Sequence, residues 1–329
     1  MLDAGLHERP GAHDGHRLDG RWLGDLLGGR WLMPGVAAVI TPACLVPVGY
    51  VLWSAASLGP SAGADFLFRP RVGELLWNTG RLLVGGVVLS VVIGVAGAWL
   101  VERSDLPMRG LWHGALCAPL AVPAFVNGYA WVATTHAVQS YVGAVLVVAL
   151  SYYPLVYLPT VAALRGLDPA LEEVAASLGR RPGEVFRRVV LPAIAPAVLG
   201  GSLLVGLHLL AEYGALRLLN YPTLTTAIFE QYGTAFNGPA ATLLASVLLL
   251  TCLGLLLLEL LVRGPARRAR VGGGTPRPAE RQPLGRAVVP ALGGLTLLVA
   301  LAVGLPVASL VRWLAHGSSA GLELDRLLP

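Results

Sequence analysis

The chain has 329 residues, of which 55% are hydrophobic and 13% charged, with a formal net charge of +5 and a mean hydropathy of +0.67. A soluble domain carries about 25% charged residues, so this composition excludes an ordinary soluble enzyme and calls for lipid. All 24 basic residues are arginine, and they fall between apolar runs, as topology signals do, and not along a basic face for nucleic acid.

The first segment, MLDAGLHERPGAHDGHRLDG, is polar and lacks the apolar centre of a signal peptide. Residues 1–33 are therefore expected as a cytoplasmic tail, and the first span as an uncleaved helix. His7, His13, Asp14 and His16 in this tail match no metal-site spacing and read as disordered chain. A spanning helix needs about 20 mostly apolar residues. Seven windows meet this: residues 34–58, 79–101, 111–133, 141–164, 193–213, 240–262 and 287–311. Pro119 and Pro123 interrupt the third, and the fourth contains SYYPLVYLPTVAAL. Both are predicted as kinked interior helices, because proline frees carbonyls that neighbouring helices or water must satisfy. Cys44, Cys117 and Cys252 lie inside apolar runs with no CxxC pair, which predicts small core residues with neither a disulfide nor a zinc site. The fold class expected is an all-α polytopic membrane protein of about seven spans.

Placing the N-terminus inside puts 18 arginines in inside segments and 6 in outside ones, among them Arg81 and Arg217. Positive charge prefers the cytoplasmic side, which fixes that orientation. Residues 263–286 hold seven Arg, four Pro, five Gly and no aromatic residue. That composition builds no core, so the segment reads as a flexible cytoplasmic linker whose arginines can also meet anionic lipid heads. The seventh run then echoes the first: Pro47, Val48 and Trp53 recur as Pro306, Val307 and Trp313, and the tail GLELDRLLP resembles VGELLWNTGRLL. The chain is expected to hold one six-span unit over residues 34–262, and over 287–329 the first span of a second, incomplete unit. Internal duplication is common in transporters.

Between the fourth and fifth spans lies DPALEEVAASLGRRPGEVFRRVVLP, residues 168–192. Asp168 is a helix N-cap and Pro169 suits the first helical position. A short helix over residues 169–178 then aligns Leu171, Val174 and Leu178 on one face, flanked by Ala170, Ala175 and Ala176. Glu172 and Glu173 sit where the helix dipole favours negative charge. Gly179 is a C-cap, and Pro182 opens a second helix over 182–190, with Val185 and Val189 on one stripe beside Phe186 and Arg187 and Arg188 in its last turn. Two short helices joined by a glycine turn are expected at the cytoplasmic face. A helix resting on lipid favours bulky apolar residues, whereas this one carries small ones, suited to docking another protein.

Glu173, Ala175, Gly179, Val189, Leu191 and Pro192 resemble the EAA motif of ABC importer permeases: Glu-Ala-Ala, three residues, Gly, nine residues, Ile, one residue, Leu-Pro. Val174 and Val189 stand where the pattern has Ala and Ile. The resemblance covers residues 70–262 well. The stretches ELLWNTGRLLVGGVVLSVVIGVAGAWLVERSDLPMRGLW, LAVPAFVNGYAW and LAEYGALRLLNYPTLTTAIFEQY are similar to the ferric-iron branch, which consists of long two-unit permeases. It implies a type I importer transmembrane domain in a bacterial inner membrane. Its partners would be a cytoplasmic ATPase dimer and a periplasmic or lipid-anchored binding protein. Residues 168–192, with Glu172, Glu173, Ala175, Ala176, Gly179, Val189, Leu191 and Pro192, would be the ATPase-coupling loop. No GxxxxGK[ST] phosphate loop occurs, nor a Ser-His-Asp or HExxH arrangement. The chain is thus expected to be a permease and no enzyme, without cofactor or resident metal, with ATP held by its partners.

An ionisable residue inside a span is a functional candidate. His208 and Glu212, four apart, are expected on one face of the fifth span, with Tyr213 beside them. Oxygen ligands of Glu212 and Tyr213 suit a hard cation. The alternative is a hydrated Glu212, or one paired with Arg217. Asn78, Asn127 and Tyr129 read as packing residues, and Ala197 and Gly201 as a close-packing pair. Thiamine, polyamine and phosphonate stay open as cargo within the class. An ion-coupled secondary transporter is the rival from another class; it would need buried carboxylates in several spans, where Glu212 stands nearly alone. A non-transporting scaffold is the third reading.

Overall fold

The structure is a computed structural model that describes residues 32–57, 59–263 and 281–317. The N-terminal tail with its histidines, most of the expected linker and GLELDRLLP lie outside the described residues. In chain order the helices are α1 (Leu32–Ser57), α2 (Pro60–Leu67), α3 (Pro70–Arg103), α4 (Arg109–Cys117), α5 (Ala124–Thr134), α6 (Tyr141–Tyr152), α7 (Pro154–Gly166), α8 (Pro169–Ser177), α9 (Pro182–Val185), α10 (Leu191–Ala211), α11 (Gly214–Leu218), α12 (Leu224–Gly233), α13 (Gly238–Arg263), α14 (Val288–Val299) and α15 (Leu305–Gly317). Among the described residues there is no strand; an isolated bridge joins Ser104 to Gln282.

Five unbroken helices among the described residues are long and apolar enough to cross a membrane: Pro34–Ser54, Pro70–Arg103, Pro182–Ala211, Gly238–Val262 and Gly285–Ala315. Two broken pairs bring the number to seven if each counts as one span. α4 with its 3-10 extension meets α5 at 91°, and α6 meets α7 at 44°. These breaks fall at Pro123 and Pro154, as a missing N–H and a ring clash require. The first of them is far sharper than the expected kink. The chain is an all-α polytopic membrane protein. The helix of the second span starts earlier than expected, at Pro70, so that Arg81, counted among the outside arginines, lies within α3. There its Nε donates to the Tyr221 hydroxyl at 2.7 Å, and its guanidinium lies over the Tyr141 and Tyr221 rings.

The chain divides into two compact units, with α1 up to Trp53 in the first and residues 54–329 as the second. Within the first, α1 is apolar on all sides, and Cys44, expected as a core residue, is exposed. Cys117 and Cys252 are half-buried.

The centre of the second unit is α7, gripped by α3 and α10. Helices in lipid gain no hydrophobic drive from meeting each other, so close backbone approach at small residues does the work. α3 buries Gly86, Ser90, Gly94 and Ala98 at every fourth position. A Cβ on Gly94 would stand 3.0 Å from the Tyr157 nitrogen and 3.1 Å from the Tyr153 carbonyl. From the other side, a Cβ on Gly201 of α10 would stand 2.7 Å from the Leu155 carbonyl oxygen and 2.8 Å from the Val156 Cα. Val156, with no exposed surface, is held between the two. Hydroxyls in these helices donate to carbonyls four residues back, as at Thr79, Ser151, Thr160 and Ser202, which satisfies them without water. Asn127, expected as a packing residue, donates to the Ser151 hydroxyl at 2.8 Å. Leu295 of α14 and Ala302 join the same core.

Candidate functional site

The segment after α7 folds as its local chemistry dictates. Asp168 accepts the Ala170 N–H at 3.0 Å, and buried Pro169 starts α8. α8 ends in a paired carbonyl cap: the Gly179 N–H donates to the Ala176 carbonyl at 2.9 Å, and the Arg180 N–H to the Ala175 carbonyl at 3.3 Å. That pattern needs a left-handed residue just beyond the helix, and Gly179 supplies it with φ +75°. Nothing lies within 4 Å of a Cβ built there, so the backbone angle and not crowding selects glycine.

The two faces of α8 differ. Leu171, Val174 and Leu178 are 47%, 59% and 76% exposed. Ala170, Ala176 and Glu173 are exposed beside them, and Ala175 is half-buried. This apolar stripe with small flanks is uncovered. Glu172 turns the other way, and its Oε1 lies 2.8 Å from Arg103 Nη2 at the end of α3. Burial pushes the Glu172 carboxyl above the usual carboxylate range, and the Arg103 guanidinium pulls it partly back.

The second helix corrects the expectation. It is no separate short helix: residues 182–185 are α-helical, Phe186–Val190 form a π-turn, and the helix runs on into α10, making Pro182–Ala211 continuous. Leu191 and Pro192 lie within this rod and not at its hand-over. Pro192 has no N–H and its ring crowds the carbonyl four residues back, and the wider π-turn takes up that defect. Val185 and Val190 are buried, and Phe186 packs edge-to-face on Trp99 of α3 with centroids 4.8 Å apart. Val189 is half-buried, and Arg187 and Arg188 are exposed. One arm of the loop thus faces outward and the other is rooted in the spanning core.

The pathway candidates gather at the far end of α10, about 30 Å away at 1.5 Å per residue, close to the thickness of a hydrocarbon core. α10 stops at Ala211 and Glu212 is extended, so His208 and Glu212 do not share a helical face as expected. Tyr152 of α6 connects them instead. Its hydroxyl donates to Glu212 Oε2, and its ring lies 5.4 Å from that of His208. Glu212 Oε1 accepts the Ala215 N–H at 2.9 Å, capping α11. With both oxygens engaged, the Arg217 pairing is not formed among the described ion pairs. Tyr213 points elsewhere and stacks on Phe229 at 4.1 Å. Tyr152 was missed from sequence, since its partner is 60 positions away. Glu259, also absent from the sequence reading, lies near the end of α13.

A family profile described as binding-protein-dependent transport system inner membrane component matches residues 86–267. The chain is 36% identical over 291 residues to the Fe(3+)-transport system permease protein FbpB 2 of Haemophilus influenzae, covering 88% of this chain and 57% of that protein. It is 27% identical to the sulfate transport system permease protein CysW of Escherichia coli K12, over 68% of this chain and 85% of that one. It is 30% identical to the molybdenum transport system permease protein ModB of the same strain, over 54% and 85%. The chain therefore spans little more than half the length of the iron-transport relative and most of the length of the other two. The matched range contains residues 168–192, α7, α10 and the second half of α3, and the chain belongs to the family of binding-protein-dependent transport system inner membrane components.

Proposed function

We propose that this chain is the permease of an ATP-driven importer in a bacterial inner membrane, with its N-terminus in the cytoplasm and ferric iron as cargo. A cytoplasmic ATPase dimer docks on α8 and drives the alternation of the spans, and a periplasmic or lipid-anchored binding protein delivers the cargo. The observation that carries this reading is the uncovered stripe of Leu171, Val174 and Leu178 on a helix joined by Gly179 to a rod that crosses the membrane. A surface patch of this kind on an otherwise packed element marks a partner site. The name of the iron-transport relative supports ferric iron, and the oxygens of Glu212 and Tyr152 at the far end of α10 suit a hard cation. The sulfate and molybdenum relatives favour an oxyanion as the second reading. Family membership argues against an ion-coupled secondary transporter.

The test is reconstitution in liposomes with the cognate ATPase and binding protein, loaded in turn with Fe(III), sulfate and molybdate. ATP-dependent uptake of Fe(III) that is lost in Gly179→Trp is expected. Uptake of an oxyanion in its place moves the cargo to the second reading. Uptake and ATPase association indifferent to Gly179→Trp would remove the coupling role.

A further inference from the structure

We propose that Arg103 is the positioning residue that locks α8 to α3, so that a push on α8 reaches two spans and not one. The inference rests on the coupling reading above. The hinge at Gly179 connects α8 to the rod Pro182–Ala211 along the chain. A second, non-covalent connection runs through Arg103. It is the last residue of α3; its side chain is 6% exposed and meets that of Glu172, 16% exposed, at 2.8 Å.

Arg103 Nη2 and Glu172 Oε1 are buried and face each other, and no other ion pair to either side chain occurs among the described residues. Separating such a pair leaves a buried charge without its counter-ion, which is strongly opposed. α8 therefore cannot swing away from the end of α3 without meeting that resistance. Beside this contact, Glu102 accepts two hydrogen bonds from Arg165, at 2.9 and 2.6 Å, tying α3 to the last turn of α7. That pair is more open to solvent, with Arg165 56% exposed, and contributes less.

The same corner also holds the chain where it returns toward α14. The Gln282 N–H donates to the Arg103 carbonyl at 2.9 Å, and the Asp105 N–H to the Gln282 carbonyl at 3.3 Å. The Leu284 N–H donates to Asp105 Oδ1 at 2.8 Å, and Leu284 packs on the core. Arg103 thus joins three elements, the end of α3, the inner face of α8 and the approach to α14, using its side chain for one contact and its carbonyl for another.

Single loss of either charge risks misfolding, so the informative variant is the double change R103M/E172M, which removes both charges and keeps bulk. A buried ion pair replaced by apolar residues is commonly tolerated. Arg103→Lys keeps the charge. The reporter is Glu74→Cys at the opposite end of α3, where the native side chain is 54% exposed, with Cys44, Cys117 and Cys252 changed to Ser. The full chain with its ATPase in liposomes is labelled with a membrane-impermeant maleimide, with and without ATP and vanadate.

In the otherwise native chain and in Arg103→Lys, nucleotide is expected to change the labelling rate by about fivefold or more. In R103M/E172M the ATPase stays bound and the nucleotide response disappears. A double variant that keeps the response overturns the proposal. So does a double variant that releases the ATPase, or an Arg103→Lys that loses the response as fully as the double variant. A native chain that binds no ATPase overturns the coupling reading itself, and this joint with it.

Discussion

Gly179 and Glu172 carry the main consequences at the scale of single residues. With φ +75° and open space around its Cβ position, Gly179 is needed for its backbone freedom alone. An L-residue forced into the left-handed region costs about 1–2 kcal/mol, and Asn visits it more easily than others. Gly179→Asn is therefore expected to keep ATPase association, Gly179→Ala to weaken it and Gly179→Val to abolish it, measured by co-purification. Equal behaviour of Asn and Val would contradict the assignment. Glu172 makes a pH-dependent case. Its folded-state pKa lies above the ordinary value because burial outweighs Arg103, so its contribution to stability is fully present at low pH and lost as pH rises through the folded pKa. Removing Arg103 strips away the lowering influence and raises that pKa further. The loss of thermal stability in Arg103→Met is expected to shrink as the pH falls from about 7 toward 5, read by unfolding midpoints in detergent. A loss that grows on acidification would contradict this account of the pair.

Among the elements, α7 between α3 and α10 is the part most sensitive to size. Gly94 and Gly201 face its backbone at 3.0 Å and 2.7 Å from an added Cβ, whereas nothing lies within 4 Å of one on Gly80. Gly94→Ala and Gly201→Ala are expected to lower stability by about 1–3 kcal/mol through overpacking, with Gly80→Ala neutral or stabilising as a helix-interior glycine. Denaturation in mild detergent measures the difference. The small-residue spacing of Ala197 and Gly201 was legible in the sequence, and so were the cap, the glycine turn and the proline start of the coupling segment, because each depends on neighbours a few positions away. The continuity of the second arm with α10 was not. Leu191 and Pro192 read locally as a break, and the rod survives because Val185, Val190 and Phe186 are held by the core and a π-turn takes up the proline. Tyr152 with Glu212 and Arg103 with Glu172 were hidden for the same reason: each joins positions far apart in sequence through packing that composition does not encode.

At the scale of the molecule, the length of the apolar runs was enough to read an all-helical, multi-span chain and to place two broken spans at their prolines, since lipid leaves few other ways to satisfy a polar backbone. The arrangement that results puts a helix with one uncovered face at one end of a membrane-crossing rod and the Tyr152, Glu212 and His208 cluster at the other. Under the proposed function, work done on α8 would reach that cluster through the Gly179 turn and the rod. The central claim is that the outward stripe of α8 receives that work from an ATPase, and Leu178, at 76% exposure, is its most open member. The most direct measurement is the affinity of the purified full chain for its cognate ATPase, compared with Leu178→Arg, with circular dichroism confirming the fold. A charge placed on the most exposed residue of a docking patch is expected to weaken binding by about tenfold or more and to abolish ATP-dependent uptake. Unchanged affinity and uptake in a folded Leu178→Arg chain would contradict the account.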